Sequence, residues 1–378
     1  MAGKNRLPAM PMASYIGGMS SDPSARPVAF WLFTVAGMIL VMIVLGGVTR
    51  LTGSGLSIME WAPLLGALPP MTDAEWQRLF ALYQKIPQYD LVNQGFGLAG
   101  FKQIFWLEWM HRLWGRLIGL VFLVPLIRFW WTGRVTRWLR WRLVGLFLLG
   151  GLQGAVGWFM VASGFLPDAT SVSPYRLVVH LGLALVLYAA IVWTGLSLWS
   201  ADRRVRPNYD RGIAIWARAG TVLVGLTILA GGFVAGLHAG LTFNTFPLMD
   251  GGLVPPGYAD LHPFVRNLTE NVAAVQFDHR VLATLTALVT LGTLITGWPM
   301  TALRARILAV AAMAAIQYAL GVATLLFVVP VDLAAMHQAG AALLLTAYLV
   351  LLHGVRNPPP LVESGSVEPT AATLRDPS

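Results

Sequence analysis

The amino-acid sequence predicts an all-α integral membrane protein, with eight transmembrane helices arranged as two pseudo-symmetric four-helix bundles. Three observations carry that expectation. Only 11% of the 378 residues are charged and 56% are hydrophobic, whereas a soluble domain carries about a quarter charged residues. The apolar residues gather in continuous runs of roughly 20, the length an α-helix needs to cross ~30 Å of hydrocarbon. Eight such runs occur, and the second four repeat the punctuation of the first four. The runs are continuous rather than alternating, and a backbone in lipid must satisfy its own hydrogen bonds, so they read as helices and not as barrel strands.

Taken in order, residues 1–28 form a polar lead. The first run, near 29–49, has no small-residue cleavage site and is too long for a signal peptide, so it reads as a span. The loop 50–103 is too long to be a simple connector. Inside it, Thr72-Asp73-Ala74-Glu75 reads as a capping box, which opens a short amphipathic helix carrying Trp76, Leu79, Phe80 and Tyr83. That helix is expected on the membrane surface or over a site. Further runs fall near 104–127, 139–162 and 175–199. They complete an N-terminal bundle over 29–199. After a linker at 200–213 come runs near 214–237, 277–297, 304–327 and 332–353. These form a C-terminal bundle over 214–353, with a long loop at 238–276. The segment 354–378, rich in Pro, Ser, Thr and Glu, is expected to be disordered.

Charge gives orientation. One set of loops and flanks holds 17 of the 26 Lys and Arg residues, with clusters at 128–142 and 203–218. By the positive-inside rule both termini are cytoplasmic and the loops 50–103 and 238–276 face outward. The formal charge of +9 is thus a topology signal with anionic lipid as its partner, and nucleic acid is not implied. The absence of cysteine excludes disulfides, thiolate metal sites, iron–sulfur ligation and covalent c-type haem attachment.

The repeat is specific. Gly46-Gly47 and Gly55-Leu56 match Gly231-Gly232 and Gly240-Leu241 at an offset of 185, and each is followed by Pro-Leu (Pro63-Leu64, Pro247-Leu248) and Pro-Pro. His111-Arg112 matches His279-Arg280, Gln153 and Gly157 match Gln317 and Gly321, and His180 matches His337. Four spans per half is an even number, so the halves point the same way, related by an axis along the membrane normal.

Four of the seven histidines occupy these matched places, two per half, each within about two turns of the outward helix end. Two imidazoles facing each other across a bundle can ligate one haem iron. Gly115, Gly119, Gly182 and Gly340 are expected to leave room for a flat macrocycle. A lone membrane histidine reads first as an interhelical hydrogen bonder or a proton relay. Two pairs in register favour the metal reading. Arg112 and Arg280 are candidate propionate contacts, with snorkelling to the interface as the bland alternative. His238, His262 and His353 read as structural or solvated. Glu108 lies three residues before His111 on the same helix face, and its counterpart is Gln276. The asymmetry marks it as a candidate catalytic group, against the reading of a hydrated glutamate at a helix start. Near that start it would stay ionised or exchange protons, and Glu108→Gln would preserve shape and folding.

These residues resemble the heme A synthase family, over about 29–353. The most specific stretches are 46–57 (GGVTRLTGSGLS), Glu108-Trp109-Met110-His111-Arg112, His180, Gln276-Phe277-Asp278-His279-Arg280 and His337. The resemblance implies oxidation of a methyl group of haem O to the formyl group of haem A, for cytochrome oxidase. It implies that His279 and His337 hold a haem b cofactor, that His111 and His180 hold the substrate haem, and that Glu108 is catalytic. It also implies haem O synthase (protohaem farnesyltransferase) as a partner and an electron donor of unspecified identity, with homo-oligomerisation left open. Some members carry a cysteine pair in the first outer loop. This chain has none, so it is similar to the cysteine-free, proteobacterial and mitochondrial type. Two rival readings stay open: a dihaem b-type cytochrome that only transfers electrons, and a histidine-relay transporter.

Overall fold

In the computed structural model, residues 25–62, 65–200 and 211–356 are described. The expectations for 1–24, Pro63-Leu64, most of the linker and the tail from 357 lie outside them. The chain folds as α1 (Ala25–Leu51), α2 (Asp73–Tyr83), α3 (Pro87–Leu91), α4 (Leu98–Trp131), α5 (Arg137–Val161) and α6 (Pro174–Trp199). It continues with α7 (Arg211–Gly236), α8 (Asn267–Glu270), α9 (Val272–Gly297), α10 (Arg304–Leu326) and α11 (Val331–Arg356). Eight of these helices are long and apolar enough to cross a membrane, one for each predicted run, and the described residues contain no strand. The chain is a multi-pass membrane protein.

Helix α4 departs most from expectation. It begins at Leu98, six residues ahead of the predicted run, because its first two turns do not need lipid. Phe101, Ile104 and Phe105 are buried there with Leu56, Trp76, Tyr83 and Ile86 in a small second core. The expected capping box is present at the start of α2: the Thr72 side chain accepts from the Glu75 amide and the Glu75 side chain accepts in return from the Thr72 amide. Trp76 then meets Phe105 edge-on at 4.9 Å and Tyr83 lies 5.5 Å from Phe101. The amphipathic helix of the first long loop is therefore docked on the end of α4.

The four spans of each half contact one another in the same cyclic order: α1 with α4, α4 with α5, α5 with α6 and α6 with α1; α7 with α9, α9 with α10, α10 with α11 and α11 with α7. Helices α1, α6, α7 and α11 also pack across the middle. Polar bonds tie that junction, where each is worth about 0.6–1.7 kcal/mol in a bilayer. Gln338 Nε2 donates to the Ile43 carbonyl at 2.6 Å, and the hydroxyls of Tyr188 and Thr346 meet at 2.7 Å. Gly47 makes the first approach feasible, because a Cβ there would run into the Gln338 amide.

Candidate functional site

Each of the four matched histidines is half-buried and lies against a glycine of a neighbouring helix. A Cβ at Gly46 would stand 3.0 Å from His111 Cε1, at Gly157 2.9 Å from His180 Cε1, at Gly231 3.0 Å from His279 Cε1 and at Gly321 2.8 Å from His337 Cε1. All four glycines were visible in the repeat, but none was expected to be an imidazole seat. Of the four proposed to make room for a macrocycle, only Gly119 faces open space. The Cβ positions of Gly115, Gly182 and Gly340 are met by Met42, Leu229 and Gln317, which corrects that expectation.

The structure brings His279 and His337 together, with ring centroids 6.4 Å apart and planes at 89°. His111 and His180 are near enough to interact electrostatically. Among the described residues no three His, Asp or Glu side chains form a metal site by themselves; the chain offers imidazoles in pairs. Two glutamines hold one member of each pair. Gln153 Nε2 lies 3.2 Å from His180 Nδ1 and donates to the His180 carbonyl at 3.0 Å. Gln317 Nε2 does the same to His337, at 3.0 and 2.9 Å. The sequence showed these glutamines only as markers of the repeat. Their spacing of four from the seat glycine puts both groups on one helix face, and that was the signal for a shared task.

Glu108 is not at a helix start. It sits ten residues inside α4 and is 3% exposed, so the expectation of a hydrated carboxylate is corrected. Its Oε1 accepts from Arg112 Nε and Nη2 at 3.0 and 2.6 Å. Its Oε2 accepts from Ser57 Oγ at 2.7 Å and the Ile58 amide at 2.9 Å. Arg112 also donates to the carbonyls of Ile58 and Glu60. In the other half, Arg280 donates to the carbonyls of Phe243 and Thr245, which lie at the same offset of 185, and to Gln276 Oε1 at 3.2 Å. Gln276 Nε2 donates to the carbonyls of Ala239 and Thr242. Both halves thus clamp the chain that leaves their first span, one with a carboxylate and one with an amide.

The choice follows from what each faces. Glu108 meets an N–H and a hydroxyl, whereas Gln276 meets two carbonyls. Ser57, absent from the candidates, belongs to this constellation. Farther out, the Arg78 guanidinium bonded to Glu60 at 2.7 Å holds that carboxyl below its ordinary range.

The remaining histidines lie elsewhere. His353 is buried edge-on against Trp193 at 5.1 Å, and His262 is exposed in the second long loop. His238 Nδ1 lies 3.4 Å from Arg50 Nη2, linking the start of the second long loop to the last turn of α1.

Residues 29–349 match the family described as cytochrome oxidase assembly protein. The chain is 61% identical to the heme A synthase of Granulibacter bethesdensis, covering 87% of each chain. It is 48% identical to that of Nitrosospira multiformis, over 88% of this chain and 94% of the relative. It is 49% identical to that of Rhodospirillum centenum, over 90% and 92%. With two thirds or more of every one of these chains covered and the helical histidine pairs at matched places, the chain belongs to the cytochrome oxidase assembly protein family, with heme A synthases as its relatives.

Proposed function

We propose that this protein is a membrane oxidoreductase that converts haem O to haem A, with His279 and His337 holding a resident b-type haem and His111 and His180 holding the substrate. The single observation that carries the reading is the pair of equivalent histidine sites, each imidazole seated on a glycine. The residues fit the group. With metal–imidazole bonds of about 2 Å, two imidazoles that shared one iron would need centres about 6 Å apart, and His279 and His337 stand at 6.4 Å. When bound, the iron porphyrin supplies the redox chemistry that imidazole and carboxylate lack.

The chain's own residues bind, orient and handle protons. Gln153 and Gln317 each tie down the main chain of one histidine in the pair, by donating to the carbonyls of His180 and His337. Glu108 is the catalytic candidate, a carboxylate one helical turn from His111 and fixed by four donors. Its equivalent is an amide in the half assigned to the cofactor. Arg280 retains one buried donor, Nε, without a partner, whereas every nitrogen of Arg112 is engaged. A propionate role therefore fits Arg280 better than Arg112. The enzyme lies in a bacterial inner membrane with both termini cytoplasmic and the histidines toward the periplasm. It takes haem O from haem O synthase and electrons from a separate donor.

The test is conversion. Membranes that make haem O are supplemented with this protein, and the extracted haems are separated by chromatography. Haem A formed by the wild type and lost in His111→Ala is the expected result. Haem O left unchanged by a folded, haem-loaded protein would leave an electron-transfer cytochrome in its place.

A further inference from the structure

The halves differ where α1 meets α4 and α7 meets α9. His279 Nδ1 lies 3.1 Å from the Thr227 carbonyl. A carbonyl only accepts, so Nδ1 carries the proton and Nε2 keeps its lone pair for a metal. That carbonyl is held in place by its own residue. The Thr227 hydroxyl meets the Thr286 hydroxyl of α9 at 3.1 Å, and the acceptor of the two donates to its own main chain, at Leu223 or Leu282. The glycine seat at Gly231, one turn along α7, lets the imidazole come this close. In the first half the position of Thr227 is Met42 and that of Thr286 is Ile118. The Met42 thioether methyl fills the space over Gly115, and the buried His111 Nδ1 has no hydrogen-bond partner. Methionine is pliable where a threonine pair is fixed.

We infer that Thr227, paired with Thr286, is a positioning residue that anchors His279 as the histidine that would hold a resident haem iron firmly, and that its replacement by Met42 in the other half leaves His111 one that would hold a haem more weakly and let it depart. This rests on the assignment of resident and substrate sites above. A backbone acceptor on the far ring nitrogen makes an imidazole more electron-rich, fixes its orientation and typically changes metal affinity 10–100-fold. A site that must release its product has no use for such an anchor, whereas a site that must keep its cofactor through many turnovers does.

The experiment uses full-length protein purified with its retained haem, as wild type, Thr227→Val, Thr227→Met, Thr286→Val and Thr227→Ser. Two quantities are read: the rate of haem transfer to apomyoglobin and the midpoint potential of the retained b-type haem. The valine and methionine variants should release haem about tenfold faster or more and shift the potential upward, because a less electron-rich imidazole stabilises ferric iron less. Thr227→Ser keeps the hydroxyl and should retain wild-type values. Wild-type release and potential in the valine and methionine variants would overturn the inference, as would a serine variant as impaired as valine, which would signify packing alone. His279→Ala separates the two layers. Loss of the retained haem in that variant upholds the site assignment whatever the threonines do, and survival of the retained haem would bring down both.

Discussion

Replacing Glu108 by glutamine tests the most asymmetric feature of the molecule. The carboxylate accepts two bonds from Arg112 and two from the loop, at Ser57 and Ile58. An amide brings one acceptor and one donor group. If its oxygen stays on Arg112, its NH2 faces the Ile58 N–H; if it turns, the NH2 faces the guanidinium. Either way a buried donor loses its partner, at about 1–3 kcal/mol, and the bonds that remain are no longer charge-assisted. The expected loss is about 2–4 kcal/mol, somewhat less than the 3–5 kcal/mol of deleting one member of a buried ion pair. The isosteric change is therefore not neutral, contrary to what the sequence suggests. Gln276 is at ease in the other half because its NH2 meets two carbonyls.

The assay has two arms, hydrogen exchange of the Ile58 amide and the yield of haem A. In Glu108→Gln, exchange should quicken by about 30-fold or more, which corresponds to ~2 kcal/mol of local opening, and haem O should accumulate while the b-type haem stays. Ser57→Ala loosens the same loop by about 1 kcal/mol and keeps the carboxylate, so it should still form haem A. A wild-type haem A yield in Glu108→Gln would remove Glu108 from the chemistry. Unchanged exchange would refute the clamp, and a Ser57→Ala variant as inactive as Glu108→Gln would transfer the role to the loop.

Other expectations are simpler. Gly321→Ala should expel the retained haem, since its Cβ would stand 2.8 Å from His337 Cε1 and overpacking of this kind costs about 1–3 kcal/mol; a normal Soret band from that variant would contradict the seat. Gly157→Ala should spare the retained haem and reduce conversion, and haem analysis of the two variants side by side checks the division. A reporter fused after Arg137 should score as cytoplasmic, and a periplasmic score would invert the topology. The Glu60 carboxyl is held low by Arg78, so the pair's contribution is complete above the ordinary carboxylate range and is lost as pH falls through the lowered value. Both side chains are about half exposed, so the gain is under about 1 kcal/mol. In limited proteolysis Arg78→Gln should show at neutral pH the loop loosening that the wild type shows only in acid, and wild-type resistance of that variant at neutral pH would mean that the pair contributes nothing.

Much of this was legible in the sequence because lipid enforces it. All eight spans follow from apolar runs that a bilayer requires, and the capping box at Thr72 follows from local chemistry. The start of α4 was misplaced because Phe101 and Phe105 are covered by α2, and packing between elements leaves no periodic trace in either one. The histidine pairs stood out through repetition. What each histidine leans on did not: the seats at Gly46, Gly157, Gly231 and Gly321 and the Thr227 carbonyl depend on how neighbouring helices are rotated. Glu108 was singled out by contrast with Gln276, yet its burial and its bonds to Ser57 and Ile58 come from a loop that folds back some 50 positions away in the chain.

The most direct measurement is acid–acetone extraction of the purified protein, followed by chromatography of its haems, in the wild type and in the four histidine variants. The account expects haem B together with haem O or haem A from the wild type. It expects haem B alone from His111→Ala and His180→Ala, and loss of haem B from His279→Ala and His337→Ala. Haem B alone from the wild type, or one haem lost equally in all four variants, would contradict it.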